Sequence, residues 1–257
     1  MLKLSRYLKF IYNKPALILV VGKKEYLVIG DLHIGAERKL LDKGIHLYTA
    51  TQKMAKSIVE LGNEFSIKSV VLLGDIKESI LYPDSFEKKL LIGFFKELDR
   101  HFDVKVVLGN HDAYLNEEIS ESCMSELPLG RAALLHGNKW PSEEAMKKEI
   151  IITAHNHVTV ALLDKNNAFY KEKAWFVAPI QKGCAAKFYK TPKARKLIVM
   201  PAYNDLILGT PVNKMSRKEN INPLLRNGVF EYKKAEIYTL GGELLGTVGH
   251  LKAKTTL

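Results

Sequence analysis

An α/β fold of two packed, mostly mixed β-sheets with helices outside is what this sequence predicts, on three observations. Short β-rich runs alternate with helical patterns through the first half, as in βαβ units around a largely parallel sheet. Beyond about Gly130, short apolar runs follow one another with turn residues between them, which requires a second sheet. No internal repeat, low-complexity tract or Gly/Ser/Pro-rich linker interrupts the chain. Residues 1–257 therefore read as a single domain with a basic, β-rich part from about 183 to 257.

Taken in order, residues 1–22 place basic residues before an apolar stretch that Asn13, Lys14 and Pro15 interrupt. Without a small-residue cleavage site, the segment reads as a strand and not as a signal peptide. Ala16–Val21 and 26–29 flank Gly22-Lys23-Lys24-Glu25 in a hairpin pattern. Helix is expected from Thr49 onward: Thr49 with Gln52 fits a capping box, and Met54, Ile58 and Leu61 recur at helical spacing. Asp84 with Glu87 repeats that capping pattern ahead of the stripe Phe86, Leu90, Phe94 and Leu98. Ser69–Leu73 and 104–108 supply buried strands on either side of this second helix, a strand, helix, strand crossover. The second sheet draws on 131–135, Ile150–Thr153, Thr159–Leu163, 174–177 and 197–200, while 235–240 and 244–248 close the chain as a hairpin around Gly241-Gly242.

With 47% hydrophobic and 26% charged residues, the composition excludes disordered, collagenous and disulfide-scaffold classes. Ala16–Val21 is the longest purely apolar run, far short of the roughly 20 residues of a membrane-spanning helix. No membrane association and a cytoplasmic location are thus expected. Cys123 and Cys184 stand in unrelated contexts and read as inert thiols, not as a zinc site. The net charge is +11, and from Gly183 on thirteen Lys/Arg oppose five Asp/Glu, so the basic bias is mostly C-terminal. Such a face attracts phosphate-bearing partners, although a solvated Lys-rich surface is an equal reading.

Five separated clusters share one chemical character: Asp31-Leu32-His33, Gly74-Asp75, Gly109-Asn110-His111-Asp112, His136-Gly137 and His155-Asn156-His157. Each sets metal-ligand side chains directly after an apolar run. In an α/β sheet the carboxyl ends of strands form the rim where ligands bind, so clusters far apart in sequence can converge there. Gly74, Gly109 and Gly137 allow backbone conformations suited to sharp turns. Two Asp, one Asn and four His make a mixed O/N set suited to divalent Mn, Fe, Zn, Ni or Co, and poorly suited to calcium. That is too many ligands for one ion; seven, with one carboxylate bridging, can hold two cations about 3.5–4 Å apart. Isolated histidines such as His46, His101 and His250 read as structural or surface residues. A tetrapeptide such as Gly-Asn-His-Asp arises by chance in such a chain on the order of 10⁻³ of the time.

These blocks, in this order from Asp31 to His157, resemble the signature of the calcineurin-like metallophosphoesterase superfamily: Asp-x-His, Gly-Asp, Gly-Asn-His-Asp/Glu, His, Gly-His-x-His. More narrowly, residues 30–37, Gly74-Asp75-Ile76-Lys77, Met200-Pro201-Ala202-Tyr203-Asn204 and Gly209-Thr210-Pro211-Val212-Asn213 resemble the prokaryotic ICC-like phosphoesterases, relatives of ligase-associated DNA-repair endonucleases. The resemblance implies a four-layer sandwich and a binuclear metal centre. Asp31, His33 and His157 would bind one metal, Asn110, His136 and His155 the second, and Asp75 would bridge them. His111 would stabilise the phosphoryl charge and protonate the leaving oxygen, Asp112 would orient or charge-stabilise its imidazole, and a bridging hydroxide would attack phosphorus in line. The expected cofactor is two divalent ions, manganese first, with Fe, Zn, Ni or Co as alternatives. Ala154 stands where the family carries Gly, which implies a small shift in geometry with both histidines retained.

The function expected is phosphodiester hydrolysis, with DNA or RNA as partner. A phosphatase or phosphodiesterase of small metabolites is the alternative, and a non-catalytic binding scaffold a third reading. The segment 182–196 carries six Lys/Arg around Phe188 and Tyr189, fit either to track a phosphate backbone or to form a solvated loop edge. Lys77 would reach substrate phosphate or stand in solvent, and Asn204 and Asn213 are left outside the site. The sequence leaves the oligomeric state open.

Overall fold

The computed structural model describes residues 1–41, 43, 44, 50–166 and 168–254. One sheet holds seven strands in sequence order: β1 Leu2–Ser5, β2 Leu8–Phe10, β3 Ala16–Val21, β4 Lys24–Gly30, β5 Ser69–Leu73, β6 Asp103–Val107 and β7 Cys123–Met124. Only β4 to β7 are parallel; β1 to β4 form an antiparallel meander. The expected largely parallel sheet is thus half antiparallel, because the links between the first four strands are too short for crossovers. Between β3 and β4 the chain turns on Gly22 at φ +63°, pairing Val21 with Lys24 as the hairpin pattern required.

The second sheet begins with β8 Glu126–Leu129, β9 Ala132–Leu135, β10 Ile150–Thr153 and β11 Thr159–Leu163. It is completed by β12 Phe169–Pro179, β13 Lys196–Val199, β14 Glu236–Thr239 and β15 Leu244–Thr247. Strands run in the order β15-β14-β12-β13-β10-β9-β8, with β11 on the first half of β12. Here β9, β10 and β13 are parallel and the other pairings antiparallel. The 183–257 part thus contributes β13 to β15 to a shared sheet.

Alternation along the strands builds the layers. In β4 and β5, Leu27, Ile29, Val70 and Leu72 face a core with Ile58, Leu91, Phe94 and Leu98 of the helices Ala50–Glu64 and Ser85–Asp99. Their neighbours Val28, Val71 and Leu73 face Ala132, Leu134, Ile152, Val177 and Ile198 of the second sheet. Phe10 stacks on the fully buried Trp175 at 3.8 Å across this inner core. A third core covers the outer face of the second sheet, where Phe176, Leu197 and Ile237 meet Met146, Ala185, Leu224 and Phe230. Helix, sheet, sheet, helix is the layer order.

Of the two capping boxes, Asp84 caps its helix by accepting from Phe86 N and Glu87 N at 3.0 and 2.9 Å. Glu87 does not close the box, since its carboxylate accepts instead from Glu78 N and Ser79 N. Thr49 lies outside the described residues. Segment 182–196 opens as a helix, Lys182–Phe188. Among the described residues no helix is long and apolar enough to cross a membrane.

Candidate metal centre

Five chain segments leave the carboxyl ends of β4, β5, β6, β9 and β10 at one edge of the two sheets, and main-chain bonds lace them together. Asp31 N donates to Gly74 O, Gly74 N to Val107 O and Ala154 N to His136 O, at 3.1, 2.7 and 2.9 Å. Asp31 and Asp75 thereby come to lie buried beside four histidines. Ligand atoms of Asp31, His33, Asp75 and His157 fall within 4.8 Å of one another, and those of Asp75, His136 and His155 form a second group sharing Asp75. Asn110 Oδ1 joins that second group, 3.1 Å from His136 Nε2. Seven residues singled out in the sequence thus converge, in two sets with one carboxylate in common.

The donor set fits divalent cations. His33 Nδ1 lies 2.9 Å from Glu78 Oε2, so that proton is committed and Nε2 is left for the centre, 3.1 Å from His157 Nε2 and 3.6 Å from Asp75 Oδ2. His136 Nδ1 is buried without a hydrogen-bond partner, 3.7 Å from Asp31 Oδ1. Convergent nitrogen atoms and two buried carboxylates are what a borderline divalent ion requires.

Left-handed backbone aims these groups. Asp31, His33, Asp75, His155 and His157 have φ of 54°, 44°, 47°, 67° and 43°, a region costing non-glycine residues about 1–3 kcal/mol each. The strain is held by hydrogen bonds: His155 N donates to both Asp31 carboxylate oxygens at 3.1 Å, and His111 N to Asp75 Oδ1 at 2.9 Å. Ala154 is not in that region; positive φ falls on its neighbour His155, so an alanine fits without strain. Its Cβ would lie 2.8 Å from any Cβ at Gly30, so it is Gly30 that has to stay small. Gly109 is required for a different reason from the turn expected: its φ is not positive, but a Cβ would strike Asp75.

Burial and charge split the two carboxyls. Burial, opposed by His136 and reinforced by the Asp75 charge, raises Asp31 to about 7. Asp75 goes the other way: burial is outweighed by His136, the His111 amide and His33, which hold it well below the usual range. Burial also lowers His155 to about 4 and His157 to about 3, with the neighbouring His136 and His33 adding to it. These two rings are therefore neutral donors at pH 7.

Two expectations need correction. Asp112 does not orient the His111 imidazole: its Oδ1 accepts from Ile76 N at 2.7 Å and its Oδ2 from Gly109 N at 2.7 Å, so it fastens one loop to the other. The imidazole is held by the Glu78 carbonyl, 2.6 Å from His111 Nδ1. Lys77 neither stands in solvent nor points at a substrate phosphate. Fully buried, its ammonium donates to the carbonyls of Ser79, Leu81 and His111. Two contributors were missed. Glu78, three residues past Asp75, positions both His33 and His111, and hydrogen bonds from His33 and Lys39 outweigh burial to lower it to about 2. Asn204 donates to Leu32 O at 2.8 Å and to His33 O at 3.4 Å, steadying the first ligand loop. The sequence signal was present in both, a carboxylate next to a ligand block and an Asn in a late motif, but neither has a spacing that names its partner. His101 lies 3.6 Å from Glu97 and His250 in the helix Val248–Lys254, apart from the centre, and His46 lies outside the described residues.

A family profile described as calcineurin-like phosphoesterase matches residues 25–207, a span containing every residue of the centre. Among solved structures, Pseudomonas putida nuclease MPE aligns with a TM-score of 0.53 at 13% identity, covering 91% of this chain and 97% of that one. It shares the fold of two mixed sheets flanked by helices. YfcE, a phosphoesterase from E. coli, aligns at a TM-score of 0.35 and 16% identity over 56% of this chain and 75% of its own. A predicted phosphoesterase from Streptococcus pneumoniae aligns at 0.30 and 14% over 85% and 91%. No curated protein matches the sequence.

With Asp31 raised to about 7, and His33 and His136 raised above the ordinary imidazole value, cation binding near neutral pH must displace protons from these groups, whereas His155 and His157 are already neutral. Manganese affinity is expected to rise with pH through 7 and to fall by about tenfold or more per unit below it. Calorimetry in buffers of different ionisation enthalpy reads this as proton release at pH 6.5 that declines as the pH is raised; pH-independent affinity between pH 6.5 and 8.5 would contradict it. Replacing Lys77 by Met strands three carbonyls and should destabilise the fold by about 2–4 kcal/mol in urea denaturation, with no direct loss of phosphate affinity in the folded protein.

Proposed function

The chain belongs to the calcineurin-like phosphoesterase family, and from that premise we propose that it is a phosphodiesterase acting on nucleic acid at a centre of two divalent cations. It is a metal-dependent phosphoester hydrolase. The observation that carries the two-cation reading is the pair of ligand groups sharing Asp75, with His111 Nε2 4.0 Å from Asp75 Oδ2. In this reading Asp31, His33 and His157 would hold one cation, Asn110, His136 and His155 would hold the other, and Asp75 would serve both; manganese is the ion proposed. Bound cations would supply positive charge to the phosphoryl oxygens and lower the pKa of the attacking water.

The chain's own groups do the rest. Since the Glu78 carbonyl engages His111 Nδ1, only Nε2 exchanges a proton with a substrate. From there it protonates the leaving oxygen, a role that matters most when that oxygen is a poor leaving group. Asp112 keeps the loop carrying Asn110 and His111 against the strand-end segment after Asp75, so the acid and the bridging carboxylate move as one unit. The net charge of +11 supports a polyanionic substrate. Two free cysteines suit the cytoplasm, the compartment we assign.

His111→Ala is expected to keep cation binding yet lower turnover of DNA about 10²-fold, against less than tenfold on p-nitrophenyl esters, whose leaving group needs no proton. Equal losses on both would remove the acid role. Under manganese, bis-p-nitrophenyl phosphate should be cleaved in preference to p-nitrophenyl phosphate. Cutting of a single-stranded oligonucleotide should weaken by roughly tenfold in KM between 50 and 200 mM salt. Activity confined to the monoester, with the DNA intact, would instead favour a phosphatase of small metabolites.

A further inference from the structure

We propose that the cavity beside Asn110 and His136 is a nucleobase subsite with Trp140 as its stacking wall, an inference that rests on the phosphodiesterase reading above. The cavity measures about 480 Å³ and is lined by Asn110, His136, Gly137, Asn138, Lys139 and Trp140 among others. It therefore opens directly from two of the candidate cation ligands. Trp140 is four residues beyond His136, at most about 14 Å away in extended chain, and Gly137 at φ +110° turns the backbone between them. A nucleoside whose phosphate sits at the ligands has the length to bring its base to the indole.

The indole is both presented and braced. Trp140 is 41% exposed, whereas the other tryptophan, Trp175, is fully buried on Phe10. Phe188 stacks on Trp140 at 4.7 Å, and Tyr189 lies 6.2 Å away with its hydroxyl donating to Pro141 O at 3.1 Å. A large aromatic fixed from one side gives a flat ring contact area at small entropic cost. Within segment 182–196, Tyr189 packs inward, and Phe188 stacks on a residue that lies outside the segment.

Charge selects a nucleotide over a neutral ring. The two carboxylates lining this cavity are engaged, Asp112 by backbone amides and Glu126 by the Ser142 amide and hydroxyl at 2.8 and 2.5 Å. Lys139 is exposed and makes no ion pair among the described residues, and Lys187 adjoins Phe188. Stacking on the indole tolerates any base, so the subsite reads the presence of a base and not its identity.

Two readouts test this. Because Trp175 is sealed in the core, ligand-induced changes in tryptophan fluorescence report Trp140. Adenosine 5′-monophosphate should quench the wild-type protein, ribose 5-phosphate should not, and Trp140→Ala should abolish the quench. With manganese-loaded enzyme, Trp140→Ala should raise KM for thymidine 5′-p-nitrophenyl phosphate roughly tenfold and leave methyl p-nitrophenyl phosphate unchanged, with Trp140→Phe restoring most of the loss. Equal changes on the two esters, or quenching reproduced by ribose 5-phosphate, would overturn the subsite. If the wild-type enzyme cleaves neither ester, the phosphodiesterase reading fails, while the fluorescence arm still decides for or against the subsite.

Discussion

Two carboxylates buried side by side set the terms for everything around them. Asp31 and Asp75 have almost no solvent contact, and two like charges in a low-dielectric pocket cannot both ionise without compensation. The chain meets this with an asymmetry: Asp75 collects an amide donor and two histidines and stays charged, whereas Asp31 is left near neutrality. His33 and His136 are raised despite their burial, His33 first by its hydrogen bond to Glu78 and then by both carboxylates, His136 by its hydrogen bond to Asp75 and by the Asp31 charge. Such a cluster is a poor way to stabilise an apolar core and a good way to gather positive charge. Its geometry makes sense as a holder for cations.

Holding that cluster demands backbone conformations that side chains resist, and the surrounding polar residues supply the restraint. Asp112, Glu87, Lys77 and Asn204 each spend their hydrogen-bonding capacity on main-chain groups of the ligand loops and their immediate neighbours. Their burial would be costly if they were unpaired, and it is tolerable because every one of them meets amides or carbonyls. The two sheets add a second restraint. Because the inner core interlocks β4 and β5 with β9, β10 and β12, the ends of both sheets are presented at one edge, and ligands from each reach the same point.

Much of this was legible in the chain. Local chemistry marks the strands through β-branched runs and marks the turns through Gly22 and Gly242, and the ordered ligand blocks announce their own purpose. Where the reading went astray, the partner lay far off in sequence. Lys77 looks like any strand-exit lysine until the loop bearing His111 is folded over it, 34 residues away. Asp112 looks like a histidine's orienting partner because the two are adjacent, yet its carboxylate accepts from the amides of Ile76 and Gly109. Trp140 carried no motif at all, and its standing beside the centre follows only from where β9 ends.

The sequence by itself determined the layer chemistry and the identity of the seven converging candidate ligand residues, because both are written in short-range patterns of burial, turn and donor type. Tertiary structure alone decided which carboxyl keeps its proton, which carbonyl orients His111 and what each buried polar side chain holds. Those outcomes depend on distances of 3–4 Å between residues separated by tens of positions. Hydrogen bonds and Coulomb interactions act through space, and only the folded chain sets those distances.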